Sequence, residues 1–266
     1  MSFQPVIPFG GFAGWAFLKR TMATQQSALQ ATPSQQRDET YFRERIGSIT
    51  TADQLVSDRR LLRVALTAYG LEGDIDNKAF IRKVLQDGTL KDGALANRLA
   101  DKQYQKLSAA FGFGDFKVPR TQLSDFADKT LALYRQRTFE SAVGAQNNGF
   151  RLAMNAEREI ATLANRSTSE DAKWFTVLGS APLRQVFQTA LGLPSSFASI
   201  DLDQQLGVLK ARAKSTFGSE KISQFADPDK LQQLVKTYLT RSEIASVAAP
   251  ASRSSVALQL LQGLGS

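Results

Sequence analysis

The chain has 266 residues, is 42% hydrophobic and 22% charged, and carries 33 basic against 25 acidic side chains, a net charge of +8. That size suits one large domain or two small ones and needs no covalent staple. Cys and His are both absent, which excludes Ser–His and Cys–His nucleophilic pairs, thiolate or imidazole metal sites, and an imidazole general base.

Residues 1–33 read as an aromatic arm. Phe3, Phe9, Phe12, Trp15 and Phe17 are too many large apolar side chains for a solvated tail. Pro5, Pro8, Gly10, Gly11 and Gly14 forbid a regular element in the first half. The same breakers argue against a secretory signal, as do Lys19 and Arg20, which follow the apolar stretch instead of preceding it. The arm either packs across the protein's own helices or inserts into a partner or a second copy.

From residue 34 the pattern is helical almost throughout. Gln36 to Ile46 places Tyr41, Phe42 and Ile46 on one side. Ser57 is the expected N-cap of a helix from Asp58 to Tyr69, with Leu61, Leu62, Val64, Ala65 and Ala68 at helical spacing. Asp76 is expected to cap the next helix, which carries Phe80, Ile81, Val84 and Leu85 and stops near Gly88. Short helices follow over Ala94 to Leu99 and Asp101 to Phe111. No run alternates with period two, so no sheet is expected.

Residues 121 to 165 form the longest helical pattern, with Leu123, Phe126, Thr130, Leu133 and Tyr134 on one stripe. Gly144 and the run Asn147–Asn148–Gly149 should break it into two long antiparallel helices or kink it. Further helices are expected over Lys173 to Leu178, Leu183 to Leu191 and Leu202 to Lys214. Asp227 and Pro228 open another, running to about Thr240. Ser246 to Ser255 reads as a linker, and Val256, Leu260, Leu261 and Leu264 as an apolar docking stripe. The expected organisation is therefore an arm (1–33), a first lobe (34–120), central helices (121–165), a second lobe (166–245) and a tail (246–266).

A small–large–Gly–large ending recurs at Ala68–Tyr69–Gly70–Leu71, Ala110–Phe111–Gly112–Phe113 and Ala190–Leu191–Gly192–Leu193. It is the signature of a helix closed by a left-handed glycine. Upstream of the first and third copies, Leu61, Val64 and Ala65 align with Leu183, Val186 and Phe187 at one offset. Two related lobes or a common ending used three times would both account for it.

Chemical motifs are scarce. Gly10–Gly11–Phe12–Ala13–Gly14 follows no strand, so it is no dinucleotide fingerprint. Asp74–Ile75–Asp76–Asn77 begins like a calcium loop, but Leu85 stands where the bidentate Glu belongs. The acid pairs Asp74/Asp76, Glu157/Glu159, Glu170/Asp171, Asp201/Asp203 and Asp227/Asp229 mostly sit at expected helix starts, where carboxylates cap free N–H groups. No catalytic, cofactor-binding or metal-ligating residue is assigned, and no cofactor is expected.

The charge argues only weakly for a polyanion partner. Residues 1–133 hold 18 basic and 14 acidic side chains and residues 134–266 hold 15 and 11. The tightest basic groups, Arg59/Arg60/Arg63 and Lys210/Arg212/Lys214, make no dense tract. No stretch reaches the roughly 18 apolar residues that a membrane span needs.

The run Ala52–Asp53–Gln54–Leu55–Val56–Ser57–Asp58–Arg59–Arg60–Leu61–Leu62, continuing to Ala68–Tyr69–Gly70–Leu71, resembles the bacterial domain-of-unknown-function family 1217. Asn77 to Leu85, Leu95 to Asp101, Gly14–Trp15 and Phe17–Leu18 share the resemblance. It implies an all-helical protein without known catalysis, encoded near flagellar genes in alphaproteobacteria, and it supplies no functional residues.

The expectation is thus an all-α protein of two small lobes joined by long central helices, working as a non-enzymatic interaction protein in the cytoplasm or at the flagellum. Its protein partner, or a second copy, would meet Phe3, Phe9, Phe12, Trp15 and Phe17 at one end and Val256, Leu260, Leu261 and Leu264 at the other. Alternatives are a mildly basic nucleic-acid binder and an enzyme using carboxylates or Lys.

Overall fold

The computed structural model describes residues 3–248. These residues form thirteen α-helices, five short 3₁₀ turns and no strand. The helices are α1 (Gly11–Gln30), α2 (Pro33–Arg45), α3 (Ala52–Ser57), α4 (Arg59–Tyr69), α5 (Lys78–Asp87), α6 (Leu95–Arg98) and α7 (Gln103–Phe111). There follow α8 (Phe126–Gln146), α9 (Asn148–Ala164), α10 (Glu170–Gly179), α11 (Ala181–Ala190), α12 (Leu202–Phe217) and α13 (Pro228–Ala248).

Two apolar cores divide the molecule. The first gathers Phe42, Leu55, Leu61, Leu66, Ile81, Phe111 and Phe126 from α2 to α8. The second gathers Phe150, Ile160, Trp174, Phe187, Phe217, Phe225 and Leu234 from α9 to α13, with Trp15 and Leu18 of α1. Helix α8 belongs to both. Its first half gives Phe126, Leu131 and Tyr134 to one core, and its second half gives Phe139 and Val143 to the other.

The break expected near residue 147 is present. Asn147 leaves the helical conformation, and its side-chain oxygen accepts the Phe150 N–H at 3.0 Å, capping α9. Arg137 pairs with Glu159 and Glu140 with Arg158 across the turn, so α8 and α9 run antiparallel.

The repeat is built into the backbone. Gly70 (φ 73°) and Gly192 (φ 63°) are both left-handed. In both, the next residue closes the same wide turn: Leu71 N–H to Leu66 C=O at 2.8 Å, and Leu193 N–H to Gln188 C=O at 2.9 Å. The hinge before each helix also matches, at Asp58 (φ −92°, ψ 98°) and Ser180 (φ −100°, ψ 108°). Each lobe ends in a 21-residue helix, α8 or α13, laid over α4 or α11 and entered through a 3₁₀ turn. Gly112 closes α7 with a simpler bond, its N–H to Ser108 C=O, so the second copy of the signature is a common ending and not a repeat unit.

Five expectations are corrected. The arm is helical from Gly11 onward, against the expected irregularity of its first half. Gly14 is why: a Cβ there would lie 1.9 Å from the Phe9 carbonyl oxygen and 3.0 Å from the Phe150 ring, so close packing outweighs the roughly 1 kcal/mol that glycine costs a helix. Ser57 ends α3, and Asp58 is the N-cap of α4, accepting the Arg60 and Leu61 N–H groups at 3.0 Å each. Asn77, not Asp76, stands at the start of α5; Asp76 pairs with Arg59 instead. Helix α8 begins only at Phe126, leaving Leu123 outside it and 55% exposed, while α13 runs on through Ala248, into the expected linker.

Candidate functional site

The N-terminal segment is fixed to the molecule before it reaches α1. The buried Gln25 amide brackets Val6, accepting its N–H at 2.8 Å and donating to its carbonyl at 3.1 Å. Gln146 of α8 donates to the Pro5 carbonyl at 2.7 Å. Phe3 packs on the second core beside Phe139. Trp15 is buried edge-on to Phe150, with Lys19 over its ring. Phe17 is half-buried, edge to Phe9 and under the Arg20 guanidinium.

The remaining apolar side chains stay in solvent. Phe9 is 56% and Phe12 40% exposed, and Val6, which the sequence reading passed over, is 59% exposed. Helix α13 borders Phe12 and Gly11: Lys236 lies over the Phe12 ring at 5.3 Å, and the Glu243 carboxylate fills the space beside Gly11. Ile244, the next residue, is 62% exposed. Of the expected contact residues, Phe3 and Trp15 are therefore held in the fold and Phe9 and Phe12 are presented. Val256, Leu260, Leu261 and Leu264 lie outside the described residues.

A second feature lies between the lobes. Two adjoining cavities of about 260 and 290 Å³ flank the place where Ala100–Gln103 meets Gly179–Ser180. Buried Glu140 pairs with Arg158 and, at 3.6 Å, with Arg137. Glu159 receives Lys106 at 2.7 Å and both arginines at 3.4 Å. Asn155, with its amide oxygen turned toward the arginines, accepts from Arg137 at 3.2 Å and Arg158 at 2.8 Å. Burial pushes the Arg137 guanidinium down, and the like charge of Arg158 adds to this. Burial alone would push the Glu159 carboxyl up, but Lys106, Arg158 and Arg137 outweigh it and hold it below the usual range. The network staples α8, α9 and α7 together and leaves none of these charges uncompensated.

The other acid pairs are scattered. Glu157 turns away from Glu159 to Lys19, as residues two apart on a helix must. Asp74 accepts from Asn77 and Tyr104, Glu170 from Lys173 and the Ser223 N–H, and Asp171 pairs with Lys210. Asp201 and Asp227 accept the Asp203 and Asp229 N–H groups at helix starts. Buried Lys173 also donates to the Ala164 carbonyl. Among the described residues no three acidic side chains gather into a group able to hold a metal ion. No helix among them is long and apolar enough to cross a membrane.

One loop clamp has no signature in the sequence. Asp115 accepts from Thr89 N–H at 2.7 Å, Thr89 hydroxyl at 2.8 Å and Leu90 N–H at 2.9 Å. This clamp ties the Leu90 backbone to the loop that carries Phe116 and Val118, and the Leu90 side chain is 69% exposed.

Fold and surfaces define an all-helical, two-lobed protein with an internal repeat. The chain belongs to the family described as protein of unknown function (DUF1217), whose profile matches residues 68–231. It is similar to a structural-genomics protein from Agrobacterium tumefaciens solved by crystallography, with 26% identity and a TM-score of 0.74 over 91% of this chain and 99% of that one. No curated protein matches it.

Proposed function

We propose that the chain is a non-enzymatic interaction protein that holds a protein partner, or a second copy of itself, on the exposed side chains Val6, Phe9 and Phe12 of its N-terminal segment, in a flagellar setting. The observation that carries this reading is a contrast within one segment. Gln25 holds the Val6 backbone, Gln146 holds the Pro5 carbonyl and Phe12 stands in the first turn of α1, yet the Val6, Phe9 and Phe12 side chains face water. A pre-ordered apolar face loses little entropy on binding. The flagellar setting rests on what the family resemblance implies about neighbouring genes, and apolar chain ends suit axial assemblies built by pairing terminal helices. The absence of His and Cys and the structural partners of the acid pairs support a role without catalysis. A polyanion-binding role is less well supported, because basic side chains such as Arg59, Arg82 and the half-buried Lys210 are paired with acids.

The test is the double variant Phe9→Ser/Phe12→Ser. Both side chains are exposed, so far-UV circular dichroism and thermal midpoint should hold. Partner capture from the native cell, or self-association followed by light scattering, should fall at least about tenfold, as expected for aromatic anchors. Unchanged association would remove the proposal. Deleting residues 1–20 is a poorer test, because it also strips Trp15 and Leu18 from the second core.

A further inference from the structure

The two cavities between the lobes differ in charge. The first, of about 260 Å³, is walled by the first lobe through residues 100–106, by Leu163 and Arg166 at the end of α9, and by the second lobe through Thr176, Ser180 and Leu183. The first-lobe wall is held by its own hydrogen bonds. Asp101 accepts the Gln103 N–H at 2.9 Å, and Lys102 donates to the Asn97 and Leu99 carbonyls at 3.0 and 2.9 Å. Small-molecule sites favour such pre-formed walls at the seam between domains.

The balance of charge on these walls is positive: Lys102, Lys106 and Arg166 against Asp101 and Glu159. Asp101 is engaged as a cap, and Glu159 already faces Lys106, Arg137 and Arg158. Arg166 pairs with no acid among the described residues. Behind the wall, Lys106, Arg137 and Arg158 share two carboxylates, Glu140 and Glu159. Burial and then the like charge of Arg158 push the Arg137 guanidinium down, and a nearby anion relieves that repulsion. The adjoining cavity has the opposite balance, with Glu72, Asp101 and Glu140 against Arg137 and Arg151, so it offers an anion no extension. The remaining surface of the first cavity is mixed. Ala100, Leu163 and Leu183 are apolar, and the Ser180 hydroxyl, which makes no cap bond to α11, is a neutral donor.

We infer that this cavity binds a small organic anion, with one carboxylate or phosphate group held by Arg166 and Ser180 and a short apolar body laid against Leu163 and Leu183. The site shares no residue with the N-terminal segment and does not rest on the function proposed above.

The test is an NMR titration of the full chain at constant ionic strength with benzoate, with phenyl phosphate and with benzyl alcohol as a neutral mimic. Either acid should shift the backbone amides of residues 100–106 and 176–183 together and saturate at about millimolar concentration, as suits so small a ligand. The acid that binds more tightly identifies the headgroup. Benzyl alcohol should bind about tenfold more weakly or worse, because it forms no charge-assisted hydrogen bond. Arg166→Gln, at an exposed position, should leave the circular dichroism unchanged and weaken both acids about tenfold. Gly179→Leu should narrow the cavity and remove saturation; its added Cβ meets nothing nearer than the Ala100 carbonyl oxygen at 3.7 Å, so the fold has room for it. No saturation by either acid, shifts centred elsewhere, equal binding of the alcohol, or a titration left unchanged by either substitution would each overturn the inference.

Discussion

Asp58 shows how much one side chain decides here. It accepts two N–H groups at the start of α4 and the Tyr41 hydroxyl at 2.7 Å. Burial pushes its carboxyl up, but the Leu61 N–H, the Tyr41 hydroxyl and the Arg60 N–H outweigh this and leave it below the usual carboxylate range. A carboxyl depressed in the folded state stabilises the fold at pH values above its unfolded value of about 3.9, and that contribution fades as pH falls through the folded value. Asp58→Ala should therefore cost about 1 kcal/mol at pH 7 and less at pH 3, as urea titrations at the two pH values would show. The sequence put this cap one residue early because Ser57 and Asp58 are both good N-caps. Only the side-chain geometry separates them, since the Ser57 hydroxyl turns back to the Asp53 carbonyl.

Helices were legible wherever a strong period met a strong stop. The spacing of α4 and α11 and the left-handed glycines after them marked both ends of the repeat, and Asn147 marked the α8–α9 turn. Helix α1 was not legible, because Gly14 is explained by a close approach to Phe9 and Phe150 and Gly11 by one to Glu243, which no local rule contains. The charges joining α8 to α9 were hidden for the same reason: Glu140 and Arg158 meet only once the hairpin has formed. Glu140→Ala would leave Arg158 with only Glu159 and Asn155 and should destabilise the protein by about 1–3 kcal/mol. Glu140→Gln, which keeps a hydrogen-bond acceptor, should cost clearly less. Chemical denaturation of the two variants side by side checks this, and equal losses would show that shape rather than charge matters at that position.

At the scale of the molecule, the two lobes could be read from the repeat, but their mechanical union could not. Helix α8 feeds both cores, and α1 docks on the far lobe through contacts with residues more than a hundred positions away. Both arrangements depend on long-range packing, to which sequence periodicity is blind. The lobes should consequently melt together. Leu131→Ala in the first core and Phe187→Ala in the second, where Phe187 sits between Trp174 and Phe225, should lower one shared calorimetric transition. The expected losses are about 2–5 and 3–5 kcal/mol. Two resolved heat-absorption peaks would mean that the lobes fold as separate units.

The contact between the start of α1 and the side of α13 also separates the order of the chain from the order of packing. The start of the first helix meets the last helix where Gly11 faces Glu243, so the path of the helices nearly closes into a ring. A ring can be opened elsewhere without altering which surfaces meet. A circular permutant cut at the exposed turn of Lys91 to Gly93, with its old ends bridged, would present the same two cores in a different reading order.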